Sequence, residues 1–348
     1  MRLARAVLLL CLTALAAVAS SSDQGELHEA LQRVHRSFAD VDAGETAGYI
    51  PALAAADPSA FGLAAVCVDG TVHSVGDADA PFALMSSAKP FTLALLLDQR
   101  GPEFVRENIG VEPTGDPFNA VPADRAGPLN PMVNAGALSA VSHLQAASPE
   151  ERWSLISDRY RAFAGEPLAL MQDVYESVSS GNYRNRALVN LLAERGALGT
   201  GAAATLDSYN RQSSIAVTAR QLAVMGATLA NAGVNPHTGE RAVAASYVDE
   251  VLAVMMTAGL YDESGRWAYT VGVPAKSGVG GGIVAVVPGT MALAAYSPGL
   301  SPAGNSVRGN LALKALAREL GLSLFAAPGA LPGPASESTG ALPAPCSP

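Results

Sequence analysis

A short apolar run from Phe61 to Val68 (FGLAAVCV) predicts a buried strand. Asp69-Gly70 follows it, the pair that favours a two-residue hairpin, and Thr71 to Val75 is the return strand. Late in the chain, Trp267–Val273 (WAYTVGV) predicts an extended segment. Gly282–Val287 (GIVAVV) is a strand, Pro288-Gly289 a turn, and Thr290–Tyr296 (TMALAAY) a further strand. Gly304–Phe325 predicts a long amphipathic helix, with Leu311, Leu313, Leu316, Leu320 and Leu322 among polar residues. Between Ser86 and Gly259 the period is helical. Phe91–Arg100, Ala137–Ala147, Pro149–Phe163, Ala187–Arg195, Val217–Ala232 and Ala244–Ala258 are the predicted helices.

Two strands come early and three late, with helices between. The expected fold class is α/β of the α+β type. One antiparallel sheet of about five strands is built from both chain ends and flanked by helices, beside an all-helical lobe. The helical lobe takes residues 86–259 and the sheet lobe residues 49–85 and 260–325, with a site expected in the cleft between them.

The ends have a different character. Met1–Ala19 reads as a secretory signal: Arg2 and Arg5 precede the apolar run AVLLLCLTALAAVA, which closes on Ala17-Val18-Ala19. The expected location is therefore secreted or periplasmic. The folded domain is expected over 23–325, followed by a disordered Pro, Gly, Ala and Ser-rich tail over 326–348. No other segment is apolar enough to span a membrane.

Composition narrows the chemistry. The 348 residues carry a net charge of −9, with no basic stripe for nucleic acid. Charged residues make up 15% and hydrophobic ones 49%, as in a core-building globular chain. The three cysteines, Cys11, Cys67 and Cys346, offer no disulfide framework, and nothing in the sequence suggests that Cys67 and Cys346 pair. The five histidines, His28, His35, His73, His143 and His237, form no metal-ligand spacing and no obvious triad. Only three lysines occur, Lys89, Lys276 and Lys314, beside nineteen arginines. Arginine stays protonated, whereas lysine can be driven neutral and act as a base.

Two of those lysines sit in suggestive places. Ser86-Ser87-Ala88-Lys89 lies where strand gives way to helix, and residues three apart share a face. A neutral Lys89 amine beside the Ser86 hydroxyl would activate it for attack on a carbonyl. Taken alone, the pattern is better read as a helix cap followed by a surface lysine. Pro90 fits only in the first helical turn, and it biases Lys89 away from helical geometry. Lys276-Ser277-Gly278 heads the glycine-rich Val279-Gly280-Gly281-Gly282. A cation on a sheet edge facing the cleft would depress the pKa of Lys89 by like-charge repulsion. A backbone N–H there, with that of Ser86, would stabilise an oxyanion. The plain alternative is a glycine-rich connection with a solvated lysine.

Several stretches together resemble the serine-dependent glutaminases, a branch of the β-lactamase and penicillin-binding-protein superfamily. They are Gly48-Tyr49-Ile50-Pro51, Ser86–Lys89, the run from Gly127 to Ala137 (GPLNPMVNAGA), Arg184-Asn185-Arg186-Ala187, Leu260-Tyr261-Asp262 and Pro274–Val279. The resemblance implies a β-lactamase/transpeptidase-like fold, L-glutamine as the small-molecule substrate, no cofactor, and a homodimer or homotetramer. It implies Ser86 as nucleophile, Lys89 as its base and Tyr261 as proton shuttle, with Lys276 in support. Tyr49, Asn134, Asn185, Tyr209 and Val279 stand at the glutamine-contacting positions, Val279 through its backbone.

One position departs from the pattern. A glutamate is expected seven residues before Asn185, to hold the substrate's α-ammonium, and this chain has Val178 there. A lost charge-assisted contact costs about 1.5–3 kcal/mol, roughly one to two powers of ten in binding. Glu176, two residues away, replaces it only if the loop is reshaped. Two rival readings follow: a β-lactam-recognising hydrolase or transpeptidase, which Ser208-Tyr209-Asn210 loosely fits, and a non-catalytic glutaminase-like binding protein, to which Val178 and Pro90 point.

Overall fold

The computed structural model describes residues 25–120, 130–326 and 346. The proposed signal at 1–19 lies outside them, as do Gly127-Pro128-Leu129 and nearly all of the expected tail. In chain order the elements are α1 (25–38), α2 (Pro51–Ala54), β1 (Gly62–Cys67), β2 (Val72–Gly76) and β3 (Phe82–Ala83). A 3-10 turn over Met85–Ala88 leads into α3 (Lys89–Asn108), then α4 (Asn134–Ser142), α5 (Pro149–Ala164), α6 (Gln172–Gly181), α7 (Tyr183–Glu194) and α8 (Ala202–Ser213). Next come β4 (Ala216–Val217), α9 (Ala219–Ala230) and α10 (Val248–Ala258). After a 3-10 turn over Tyr261–Glu263 follow α11 (Ser264–Thr270), β5 (Ala275–Ser277), β6 (Gly282–Val287), β7 (Met291–Tyr296) and α12 (Val307–Glu319).

Five strands form one antiparallel sheet in the order β2-β1-β7-β6-β5, so an early strand pairs with the last one (Ala64 opposite Ala294, Val66 opposite Ala292). Strands β1, β6 and β7 are buried on both faces. Their two-residue period divides the core. Ala64, Val66, Val284, Val286, Ala292 and Ala294 pack with α9 and the helical block. Leu63, Ala65, Ile283, Ala285, Leu293 and Ala295 pack with Leu27 and Leu31 of α1 and Leu313 and Leu316 of α12.

Helix α3 is buried all round from Lys89 to Leu97, which makes it the axis of the helical block. Pro90 stands in its first turn, where no donor is lost. The expected bias on Lys89 is overridden: its φ and ψ are −59° and −42°, because the preceding 3-10 turn already sets helical geometry. The predicted stop at Arg100 marks a real break, since Gly101 is non-helical and the helix resumes through Asn108.

Three expectations are corrected. Trp267–Val273 is not a strand. Leu260, Ser264, Trp267 and Val271 are all buried at helical spacing, and the fifth strand is the shorter Ala275–Ser277. The terminal helix begins only at Val307, where Ser306 Oγ accepts from the Gly309 N–H as its cap, and it ends at Glu319. Finally, Cys67 on β1 forms a disulfide with Cys346, 279 residues on, with Cα atoms 5.8 Å apart. The sequence separation hid this contact, because the pairing depends on where the chain end returns. The bond closes a loop of nearly the whole domain, so Cys346→Ser is expected to lower unfolding stability by about 2–4 kcal/mol. Denaturation with and without dithiothreitol checks it: reductant should destabilise the parent chain and leave the variant unmoved.

Candidate active site

The segment carrying Ser86 is pinned before it turns. Phe82 and Ala83 pair with Val217 and Ala216, and the Leu84 N–H donates to the Ile215 carbonyl at 2.8 Å. Met85 then adopts φ +48°, and the chain enters the 3-10 turn that bears Ser86. From the other side the β5–β6 connection presses in. A Cβ on Gly278 would stand 2.7 Å from the Leu84 carbonyl and 3.0 Å from the Ser87 nitrogen, so only glycine lets these backbones approach.

Lys89 follows one turn later, 2% exposed. Its Nζ donates to Asn134 Oδ1 at 2.7 Å and to the Met132 carbonyl at 3.3 Å. Asn134 can reach it because α4 starts against the Asn130 turn, and a Cβ on Gly136 would lie 1.8 Å from the Asn130 carbonyl oxygen. Burial brings the Lys89 pKa down to about 7. The same Asn134 oxygen accepts from Tyr209 Oη at 3.1 Å, and Asn134 Nδ2 donates to Asn185 Oδ1 at 3.0 Å.

Tyr261 is buried, and its backbone is at φ +58°. Its ring centroid is 5.9 Å from Lys89 Nζ and 4.0 Å from Lys276 Nζ, and its hydroxyl donates to the Ser277 carbonyl at 3.3 Å. Burial pushes the phenols of Tyr209 and Tyr261 well above the usual tyrosine range, while hydrogen bonding to Ser86 acts on both in the opposite direction. The hydroxyl of Ser86 thus lies against two neutral phenols.

Lys276 differs from expectation. It is on the edge strand, yet wholly buried, donating to the Gly259 and Ser277 carbonyls at 2.8 and 2.6 Å. Repulsion was expected to act on Lys89. Instead burial lowers Lys89, and Lys276 is held far below the usual lysine range, by its own burial first and by Lys89 second.

A cavity of about 290 Å³ opens at the meeting of the helical block and the sheet. Ser86, Tyr49, Asn134, Asn185, Tyr209 and Val279 line it, while Lys89, Tyr261 and Lys276 lie behind its lining. Val178 lines it too, 4% exposed, whereas Glu176 is exposed and accepts from Gln172 Nε2 at 2.8 Å. Glu176 therefore does not take the place of the expected glutamate.

The comparisons agree with this geometry. The family model for glutaminase matches residues 44–325. The chain belongs to the glutaminase family. A glutaminase of Bordetella avium is 48% identical over 306 residues, covering 87% of this chain and 98% of its own. The solved structure of the probable glutaminase YbaS has a TM-score of 0.85 at 45% identity, covering 86% of this chain and 98% of its own. A probable glutaminase from Bacillus subtilis superposes with a TM-score of 0.78 at 32% identity, over 86% of this chain and 97% of its own. The five-stranded antiparallel sheet flanked by helices is the β-lactamase-like arrangement of glutaminases.

Sequence reasoning missed the support beneath Tyr261 in this glutaminase. Asn305 Oδ1 accepts from Ser277 Oγ at 2.5 Å, and its Nδ2 donates to Glu263 Oε2 at 2.6 Å and to the Leu260 carbonyl at 3.3 Å. Asn305 thereby clamps the strained Tyr261 turn to β5. Its available signal was the Gly304-Asn305-Ser306 turn, which the overlong helix prediction absorbed. Asn305→Ala should cost about 1–3 kcal/mol by urea denaturation, since it strands buried partners. It should also slow ammonia release from glutamine. Unchanged stability would show that the clamp contributes nothing.

Proposed function

We propose that the chain hydrolyses the side-chain amide of L-glutamine to L-glutamate and ammonia through an acyl-enzyme on Ser86. The observation that carries this reading is the buried Lys89 amine, held by two acceptors one turn after Ser86. A neutral amine has two N–H groups and one lone pair. The Asn134 oxygen and the Met132 carbonyl take the two N–H groups, which leaves the lone pair to accept a proton.

In the proposed sequence, Ser86 Oγ attacks the amide carbon as its proton passes to Lys89. Backbone N–H groups of Ser86 and Val279 receive the developing oxyanion. The C–N bond breaks as Tyr261 passes a proton to the departing nitrogen and regains one from Lys89. Water then attacks the ester as its proton moves to Lys89, and Lys89 returns that proton to Ser86 Oγ as the C–O bond breaks and glutamate leaves. Lys276, whose pKa burial lowers, packs its amine over the Tyr261 ring and so positions it. Tyr49, Asn134, Asn185 and Tyr209 offer hydroxyl and amide groups to the rest of the substrate.

The reading extends to setting. The Met1–Ala19 leader supports export to a secreted or periplasmic location, and the Cys67–Cys346 disulfide supports an oxidising compartment. Assembly as a homodimer or homotetramer rests on the family resemblance.

Ser86→Ala tests the nucleophile: ammonia release from glutamine should fall to background while the fold is retained, and surviving activity would remove Ser86 from the role. The pH profile tests the base. With a pKa of about 7, Lys89 accepts a proton only above that pH, so kcat/KM should fall as pH drops below about 7, approaching tenfold per unit. A profile flat between about pH 6 and pH 8 would exclude Lys89 as the base.

A further inference from the structure

The cavity is uneven in its polarity. Among the described residues, no carboxylate lines it, and the lining side chain with a formal charge is Arg184, which is exposed and donates to the Asn119 carbonyl at 3.2 Å. Val178 presents an apolar wall, packed in one cluster with Leu53, Met85, Val174 and Val279. The lining amide oxygens of Asn134, Asn185 and Asn210 already accept hydrogen bonds from the protein, and that of Asn134 accepts two. Asn134 Oδ1 takes Lys89 and Tyr209, Asn185 Oδ1 takes Asn134 Nδ2, and Asn210 Oδ1 takes Asn182 Nδ2. A cationic group entering here loses water and meets a like charge, whereas a carboxylate meets Arg184.

We propose that Val178 sets the specificity of this cavity toward ω-carboxamides whose far end is anionic and carries no ammonium, meaning des-amino or N-acylated analogues of glutamine. L-Glutamine remains a substrate, but its ammonium adds nothing to recognition. The inference rests on the serine amidohydrolase reading above. One carboxylate lies within reach of a competing account. A second cavity of about 570 Å³ shares Tyr49, Phe118 and Val279 with the first, and Glu45 lines it.

The test measures ammonia release from L-glutamine, glutaramate and N-acetyl-L-glutamine by the parent chain, Val178→Glu and Glu45→Gln. The parent should turn over glutaramate with a kcat/KM at least equal to that for L-glutamine. Val178→Glu should shift the glutamine-to-glutaramate ratio toward glutamine by roughly ten- to a hundredfold, the worth of a charge-assisted contact. The parent ratio decides the matter even if the variant fails to fold. A tenfold or greater preference of the parent for L-glutamine would overturn the proposal, and loss of that preference in Glu45→Gln would assign ammonium recognition to the second cavity instead. Absence of ammonia from all three amides would defeat the amidohydrolase reading itself, and the specificity proposal with it.

Discussion

A lysine amine with 2% of its surface exposed forfeits most of its hydration, and a charge there is expensive. The protein answers by giving Lys89 two neutral acceptors and no carboxylate among its hydrogen-bond partners. This one desolvated group organises three helices. Asn134 at the start of α4 must turn its oxygen toward the amine, which aims its nitrogen at Asn185 on α7, while Tyr209 on α8 shares the same oxygen. A carboxylate in place of Asn134 would keep the lysine charged and remove its lone pair. The amide does the structural work of a partner while leaving the amine basic.

Such a site requires backbone that relaxed chains avoid. Of three non-glycine residues with positive φ among the described residues, Met85 and Tyr261 flank the reacting groups. Each such residue costs on the order of 1–3 kcal/mol and persists only where its surroundings over-determine it. For Met85 the surroundings are the β3–β4 pairing and the Gly278 contact. For Tyr261 they are Asn305 and Ser264, whose Oγ donates to the Tyr261 carbonyl at 2.8 Å. A deeper network holds the head of α3. Tyr160 Oη donates to the Ala88 carbonyl at 3.0 Å, and Thr92 Oγ1 donates to Gln212 at 2.8 Å. The strain is local, and its restraints come from distant parts of the chain.

What could be read from the chain follows from which signals are local. The two hairpins were legible because Asp69-Gly70 and Pro288-Gly289 dictate turns, and their strands are buried runs of the right length. Helices α6 and α8 escaped notice. In α8, Ser208, Asn210 and Gln212 are buried, so its inward face carries polar residues and the usual apolar stripe is missing. Trp267–Val273 misled because aromatic and β-branched residues favour strands, and only the buried spacing with Leu260 and Ser264 identifies a helix. The disulfide and the burial of Lys276 depend on contacts between segments far apart, which no window of sequence contains.

Ser86, Asn134 and Tyr209 serve reaction and recognition together, whereas Val178 belongs to the cavity wall alone, and this explains how it can change without the base. Lys89, Tyr261 and Lys276 lie behind the cavity lining, held by carbonyls and amides of the surrounding scaffold. Val178 faces the cavity from α6, and it packs with apolar neighbours that make no hydrogen bond to the amine or to the phenols. A carboxylate at 178 would add a negative charge to the cavity wall and an attraction for cations. A valine leaves the base untouched and removes only an attraction for cations. Chemistry fixed by burial thus tolerates variation on the recognition wall, provided the variation brings no new charge toward Lys89.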